Sequence, residues 1–165
     1  MSSLEEAEVF GFDLLLAPQF ESLNREWIEK YFELEEADRV VFKDPYKEVV
    51  EPGGQIFFVV VNGEVLGTCA VMRLDARTYE LAKMAVSSKA QGRGYSNLLM
   101  KSAIAFAREN GAERLILLSN TRLTAAIALY EKFGFKSVPI TEAEEYKRVD
   151  IQMELSFGED GTAKI

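Results

Sequence analysis

A short glycine-bearing run, Gln91-Gly92-Arg93-Gly94-Tyr95-Ser96-Asn97, follows an apolar segment that ends at Val86. The apolar segment is typical of a β-strand, and the residues after Gly94 have the apolar spacing of a helix. A turn between a strand and a helix N-terminus presents main-chain N–H groups and the positive end of the helix dipole to one point, which favours a phosphate. Gly92 and Gly94 let an anion approach the backbone without a Cβ in the way, and Arg93 adds a positive charge. The run therefore predicts a site for a small molecule that carries a diphosphate.

The spacing of these residues excludes two common nucleotide sites. The chain has no G-x-x-x-x-G-K-[ST] segment, and a G-x-G-x-x-G site would need a third glycine where Asn97 stands. The pattern that matches is Q/R-x-x-G-x-G/A, with Ser96 at the last small position. At this point the chain resembles the GNAT superfamily of N-acetyltransferases, in which the segment binds the pyrophosphate of acetyl-CoA. The cofactor-binding residues that this resemblance implies here are Gln91, Gly92, Arg93, Gly94, Tyr95, Ser96 and Asn97.

Composition limits the classes of protein to consider. The chain has 165 residues, of which 48% are hydrophobic and 28% charged, with a formal net charge of −8, no histidine and one cysteine. These values describe one globular domain, disfavour nucleic-acid binding and exclude metal sites or catalytic relays built on histidine, so no metal is expected. No apolar stretch reaches the roughly 20 residues of a membrane span, and the acidic N-terminus lacks the pattern of a signal peptide. We therefore expect a cytoplasmic protein without nucleic-acid or membrane partners.

Hydrophobic periodicity predicts elements in the order β-α-α-β-β-β-α-β-α-β-β. The predicted strands cover 9–16, 55–61, 64–73, 78–86, 114–118, 135–138 and 149–155, and the predicted helices cover 18–32, 33–42, 94–110 and 123–133. Residues 44–54 predict a connecting loop. This order is that of the GNAT fold, so the resemblance implies an α/β (α+β) fold with a mixed central sheet of about six to seven strands and helices on both faces. We expect one domain over 1–157 and a loose tail over 158–165.

A second motif lies at the end of the last predicted helix. There the segment Leu129-Tyr130-Glu131-Lys132-Phe133-Gly134-Phe135 resembles the L-Y-x-K-x-G-F signature of the same family. Packing explains Phe133, Gly134 and Phe135, but a buried phenol requires a hydrogen-bond partner. The resemblance implies that Tyr130 lies near the sulfur of acetyl-CoA and protonates the departing thiolate as a catalytic acid. The alternative is a tyrosine that packs or that positions the cofactor.

Transfer to an amine also needs a base, because an alkyl ammonium with a pKa of about 10.4 must lose a proton before it attacks a carbonyl carbon. Glu80 is the candidate, since a charge inside an apolar strand is unusual. In histone acetyltransferases of the superfamily a glutamate at the matching position is the base. The alternative is that Glu80 pairs with a cation or with solvent. Strand alternation predicts Glu80 on one face and Lys83 on the other; the face of Glu80 also holds Ala82, Met84 and Val86.

Two further cofactor contacts are implied by the resemblance. The backbone groups of Met84, Ala85 and Val86 would pair with the pantetheine amides, and an N–H there would polarise the thioester carbonyl. Asn120 would meet the pantetheine arm or cap the following helix, although the position where the family carries asparagine is Leu123 in this chain.

The acceptor is the part of the function that the sequence determines least. In this fold the first two helices shape its pocket, and here they carry carboxylates at Glu26, Glu29, Glu33, Glu35, Glu36 and Asp38. A cationic acceptor and a solvated helix face both explain these carboxylates, and we favour the solvated face. We predict an N-acetyltransferase that acts on a small-molecule amine. The alternatives are a protein or peptide acetyltransferase and a CoA-binding sensor without turnover, and exposed sheet edges would allow a homodimer.

Overall fold

The computed structural model describes residues 6–141 and 146–158. The strands are β1 Ala7–Phe10, β2 Gln55–Val61, β3 Glu64–Arg73, β4 Thr78–Val86, β5 Arg114–Ser119, β6 Lys136–Val138 and β7 Ile151–Ser156. The helices are α1 Ala17–Tyr31, α2 Glu36–Lys43, α3 Tyr95–Glu109 and α4 Thr124–Lys132. Apart from its first residue, the tail predicted over 158–165 lies outside the described residues. The predicted element order is confirmed.

The strands form one mixed sheet in the order β1-β2-β3-β4-β5-β7-β6. From β1 to β4 neighbouring strands are antiparallel. β4 and β5 are parallel, and β7 lies antiparallel between β5 and β6. The predicted sheet size and its mixed character are both confirmed.

Helices cover both faces of the sheet, as predicted. On one face the core contains Leu99, Met100 and Ala103 of α3, packed with inward residues of β2, β3 and β5, and α4 adds half-buried residues to it. On the other face α1 and α2 supply Phe20, Ile28, Val41 and Phe42. Burial of these apolar side chains is the main stabilisation of such a sheet–helix sandwich. Within the described ranges, no helix is long and apolar enough to cross a membrane.

Two local predictions were wrong. The first strand was placed over 9–16, but β1 ends at Phe10 because Asp13 makes a turn, its carboxylate accepting a hydrogen bond from Leu15 N at 2.8 Å. Leu14 and Leu15, which made the run apolar, are exposed. The loop predicted over 44–54 contains a π-helical turn over Tyr46–Val50, which buries Val49 against the α1 and α2 face.

The parallel pair of β4 and β5 is short. It covers three residue pairs, from Thr78 opposite Arg114 to Glu80 opposite Ile116. Beyond Glu80 the strands separate, since β4 stays paired with β3 through Val86 while β5 stays paired with β7 through Ser119. The separation opens a cleft in the middle of the sheet and leaves one edge of β4 unpaired with its neighbour.

A β-bulge in β4 overturns the predicted alternation of its side chains. Thr68 lies opposite Ala85 and Ala70 lies opposite Ala82, so both Lys83 and Met84 face Cys69. Lys83 has a φ of 54°, a value uncommon outside glycine. Its side chain therefore lies on the same face as Glu80 and Ala82, against Phe42 of α2. The side chains of Met84 and Val86 instead pack on the α3 face, because a bulge shifts the side-chain alternation by one residue.

Candidate active site

Residues 91–94, which we call the glycine turn, join the end of β4 to α3. Gly92 and Gly94 have φ values of 82° and 83°, and Gly94 is the N-cap of α3. No atom lies within 4 Å of the position that a Cβ would occupy on Gly92. Within the described part of the chain, the main-chain N–H groups of Gly92 to Ser96 have no hydrogen-bond partner. The turn therefore presents free donors at the positive end of a 15-residue helix, which is the geometry of an anion site.

The remaining residues predicted for this corner surround the turn. Gln91 and Arg93 are exposed, and Tyr95, Ser96 and Asn97 are half-buried in the first turn of α3. The Asn97 side-chain oxygen accepts a hydrogen bond from Lys132 Nζ at 2.7 Å. Lys132 is the lysine of the second motif, so the two motifs meet at Asn97, in the first turn of α3.

From the glycine turn a cleft of about 560 Å³ follows the unpaired edge of β4. Its lining contains Gln91, Val86 and Met84 on one side and Tyr130 on the opposite wall, with Glu80 also exposed to it. The side chain of Ala85 is buried on the α1 and α2 face. At this position β4 can therefore present only main-chain groups to the cleft. One cleft thus brings together both predicted catalytic residues and the free edge of β4.

Tyr130 has the environment of a proton donor. Its ring packs against Phe135, with the centroids 6.1 Å apart, and within the described residues its hydroxyl makes no hydrogen bond. Burial raises the pKa of Tyr130 to about 12, with a smaller contribution from the nearby thiol of Cys69. The phenol therefore stays protonated at neutral pH and its hydroxyl is available to a molecule in the cleft.

Glu80 lies at the residue where β4 and β5 part. It is half-buried, lines the cleft and lies close enough to Lys83 to affect that lysine electrostatically. Both the base and the ion-pair interpretations of Glu80 are compatible with this position.

The sequence did not indicate a buried ion cluster that lies on one wall of the cleft. Asp38 of α2 is fully buried and binds Lys83 Nζ. It also accepts hydrogen bonds from Arg148 at 2.7 and 2.8 Å. Arg148 additionally lies 3.4 Å from Glu35, and Lys83 donates to the Tyr146 hydroxyl at 3.1 Å. We call Asp38, Lys83, Arg148 and Glu35 the ion cluster.

The charges of the ion cluster act in opposite directions on the pKa of Asp38 and on the pKa of Lys83. Burial alone would raise the pKa of Asp38, but the hydrogen bonds from Arg148 and the charge of Lys83 outweigh it and lower the pKa to about 2. Burial lowers the pKa of Lys83, and the carboxylate of Asp38 opposes that change. The available signal was Lys83, a charged residue on an otherwise apolar strand. Its partners Asp38 and Tyr146 are 45 and 63 residues away in the sequence, and no local pattern links them.

Asn120 lies on the cleft wall, with both ends of its amide engaged. Its nitrogen donates to the carbonyl of Arg148 at 2.7 Å, and its oxygen accepts from the N–H of Arg122 at 2.8 Å. Asn120 thus positions the segment that carries Arg148, and the turn before α4. A pantetheine contact from Asn120 stays a prediction.

The acidic residues of α1 and α2 divide into two groups. Glu26, Glu29, Glu33 and Glu36 are exposed, as expected for a solvated face. Asp38, which is buried, and Glu35, which is half-buried, are the exceptions, because both belong to the ion cluster. Trp27, Tyr31 and Phe32 line the cleft, and Trp27 also packs against the core of that face.

Comparison with known proteins matches this arrangement to one family. Residues 16–135 match the model of the acetyltransferase (GNAT) family, and the chain therefore belongs to it. This confirms the family that the two motifs indicated.

Two curated relatives and two solved structures illustrate the match. The N-acetylaspartate synthetase of Danio rerio is 37% identical over 95 residues, 56% of this chain and 34% of that protein. Human N-acetyltransferase 8B is 27% identical over 131 residues, 76% of this chain and 57% of that protein. This chain thus spans about a third to just over half of these relatives.

Among solved structures, a GNAT-family acetyltransferase from Staphylococcus aureus Mu50 has a TM-score of 0.82 at 14% identity, over 90% of this chain and 98% of the other. A phosphinothricin acetyltransferase from Sinorhizobium meliloti, solved in complex with acetyl-CoA, has a TM-score of 0.73 at 16% identity, over 93% and 89%. At these identities the likeness concerns the fold.

Proposed function

We propose that this protein is an N-acetyltransferase that transfers the acetyl group of acetyl-CoA to the primary amine of a small molecule. The observation that carries the proposal is the single cleft that runs from the glycine turn, along the free edge of β4, to Tyr130 and Glu80. Family membership supports the reaction class, and the Sinorhizobium enzyme was solved with the same cofactor.

Each part of the cleft has a role in this proposal. The free N–H groups of residues 92–96 and the charges of Arg93 and Lys132 hold the pyrophosphate. The backbone of residues 84–86 pairs with the pantetheine arm and offers an N–H to the thioester oxygen.

The chemical step needs three proton transfers. The ammonium ion loses one proton, to Glu80 directly or through water; the neutral nitrogen bonds to the thioester carbon and then loses a second proton to solvent. The carbon–sulfur bond then breaks, and Tyr130 protonates the departing thiolate.

A screen for thiol release tests the proposal. The purified protein is mixed with acetyl-CoA and a panel of amines, polyamines, amino acids and peptides, and acetylated products are identified by mass spectrometry. We expect thiol release and a mass gain of one acetyl group with small amines. Release with peptides alone would establish the peptide acetyltransferase instead. Binding of acetyl-CoA without release from any acceptor would establish a sensor.

The assembly and the compartment are also part of the proposal. We propose a cytoplasmic protein, in keeping with the single thiol of Cys69, which is buried and whose pKa burial raises. We also propose pairing of two copies through an exposed sheet edge. Strands β1 and β6 are the two edges of the sheet, and Phe10 on β1 is 45% exposed. Sedimentation velocity over a range of protein concentrations tests the pairing, and a single monomer species throughout would contradict it.

A further inference from the structure

The charges on the cleft wall differ in sign from the charge of the chain. Among the described residues that line the cleft, the cations are Lys83, Arg122 and Arg148, whereas the carboxylates are represented by Glu80 alone. The chain as a whole carries a formal charge of −8. Asp38 and Glu35, the partners of Lys83 and Arg148, do not line the cleft. Lys83 and Arg148 therefore face the cleft, and the carboxylates that neutralise them lie behind them.

These cations alternate with aromatic rings along the wall. Arg122 Cζ lies 5.1 Å from the Phe32 ring, which lies edge-on 6.4 Å from the Trp27 ring. Arg148 Cζ lies 5.7 Å from the Trp27 ring. The Tyr146 ring then lies 4.4 Å from Arg148 Cζ and 4.3 Å from Lys83 Nζ. Each cation is thus held in place by a ring within cation–π distance, and the wall offers flat apolar surface between its charges.

Arg122 differs from the other two cations. It is exposed, and within the described residues no carboxylate lies within ion-pair distance of it. Its guanidinium donates to the carbonyl of Tyr31 at 3.4 Å, which leaves most of its five N–H groups for another acceptor. A guanidinium that is fixed by a ring and by one hydrogen bond, and that has no counter-ion in the described part of the chain, is suited to bind a planar carboxylate in two-point fashion.

An amine without an anionic group is a poor match for this wall. Such a substrate arrives as an ammonium ion and offers Arg122 no acceptor, while Lys83 and Arg148 already have Asp38 and Glu35 as counter-charges. A carboxylate on the same molecule accepts hydrogen bonds from Arg122 and gives the wall a group to orient.

Resting on the proposed function, we infer that the acceptor is an amino carboxylate, a small molecule that carries both a primary amine and a carboxylate. Arg122 binds the carboxylate, and the rings of Trp27 and Phe32 contact the carbon skeleton. Arg122 is thus a specificity-determining residue of the acceptor site.

Matched acceptor pairs test this inference. Glycine, β-alanine, leucine and phenylalanine are each compared with their carboxamides, which keep the amine and lose the carboxylate charge. The measurement is kcat/KM for thiol release, with products identified by mass spectrometry. It is made on the wild-type protein, on R122Q, on R122K, and on R77Q as a control. Arg77 is an exposed arginine that does not line the cleft.

We expect the wild-type protein to acetylate at least one amino acid, and R122Q to lower kcat/KM for it about 10- to 100-fold, the effect of losing a charge-assisted hydrogen bond. R122K should fall between wild type and R122Q. R122Q should change kcat/KM for the matching carboxamide by no more than about twofold and should leave KM for acetyl-CoA unchanged. This pattern separates acceptor recognition from cofactor binding.

Two outcomes would overturn the inference in different ways. If kcat/KM is the same for the carboxamide and for the acid, or if R122Q lowers kcat/KM equally for both, the acceptor needs no carboxylate. The proposed function then stands. If acetyl-CoA binds but no amine of any kind releases thiol, the proposed function fails and the inference fails with it.

Discussion

At the residue scale, Asp38 shows how one buried carboxylate can hold together α2, β4 and the segment before β7. It lies on α2, yet it binds a cation from β4 and another from the segment before β7. Two cations on one buried carboxylate would be costly if that carboxylate lost its charge, because the desolvation of both cations would be left without compensation.

Replacement of Asp38 by asparagine tests this role. Asparagine can still accept the capping hydrogen bond from Glu35 N, so the change removes mainly the charge. We expect Asp38→Asn to lower the free energy of unfolding by about 3–5 kcal/mol, measured by urea unfolding at pH 7. Glu36→Gln is the control on the same helix, because the exposed pair of Glu36 and Arg39 should contribute less than about 1 kcal/mol.

The pH dependence of this difference follows from the pKa of Asp38, which folding lowers from its ordinary value of 3.8 to about 2. A lowered carboxyl pKa means that the unfolded chain binds the proton first. The stabilisation is therefore complete above about pH 4 and is lost as the pH falls towards 2. About 2 kcal/mol of the difference between wild type and Asp38→Asn should disappear over that range. A difference that stays constant from pH 7 down to pH 2.5 would contradict the assignment.

Tyr130→Phe tests the proton donor. We expect kcat to fall about 10²- to 10⁴-fold, the usual range for loss of a general acid, with the affinity for CoA unchanged in calorimetry. Since the pKa of Tyr130 is about 12, its ionisation should produce no fall in rate below pH 10 in the wild-type protein. Normal turnover in Tyr130→Phe would make this tyrosine a packing residue.

Glu80→Gln tests the base. The side chain keeps its size and loses the ability to take a proton, so kcat/KM should fall most near neutral pH, where the amine is chiefly protonated. At higher pH the amine deprotonates without help, and the variant should recover towards wild type. A loss that is the same at every pH, with no change in profile shape, would assign Glu80 to the ion-pair role.

At the element scale, the short parallel contact of β4 with β5 and the bulge at Lys83 together shape the site. The early separation frees the edge of β4 for a ligand. The bulge turns Lys83 towards α2, and turns Met84 and Val86 towards the α3 face. Without the bulge the lysine would enter the core under α3, where the buried residues of that core are apolar.

The junction of β4 and α3 gives a prediction with a built-in control. Gly94 and Gly111 both have positive φ values, 83° and 84°, and lie at opposite ends of α3. A valine at either position is strained by a similar amount, but only Gly94→Val places a side chain beside the free N–H groups. We expect Gly94→Val to abolish measurable CoA binding in calorimetry and Gly111→Val to bind CoA like the wild-type protein. The free energy of unfolding should fall by a comparable amount in the two variants. Unchanged binding by Gly94→Val would reject the pyrophosphate assignment.

At the scale of the whole molecule, the cleft divides the sheet, and a ligand that bridges it should stabilise the entire domain. CoA would touch the glycine turn, β4 and α4, which belong to both sides of the cleft. At a concentration of 100 times its Kd, it should add about 2.7 kcal/mol to the free energy of unfolding. For a domain of this size we expect the Tm to rise by about 5–10 °C, measured by calorimetry. Gly94→Val should show no such rise, and the same absence in the wild-type protein would count against a site for CoA.

The chain's local patterns were enough to predict much of this molecule. The bounds of β2, β3 and β4 agreed with the structure, because alternation of apolar residues and the Asn62-Gly63 turn are local signals. The glycine turn was also predictable, since a backbone that needs positive φ selects glycine whatever lies around it. The first strand was overextended, because Leu14 and Leu15 are apolar yet exposed, and hydrophobicity alone does not reveal burial.

Folding decided the features that depend on distant parts of the chain. The bulge at Lys83 depends on register with β3, and a shift of one residue reverses the face of every side chain after it. The ion cluster joins residues separated by up to 113 positions. The wall around Arg122 takes its rings from Trp27 of α1, from Phe32 and from Tyr146, and its cations from β4 and from the segments before α4 and before β7. Pairing of charges across such separations leaves no periodicity in the sequence. The reaction class could therefore be predicted from short motifs, whereas the features on which the proposed acceptor site rests depend on the sheet, which brings those segments to one wall.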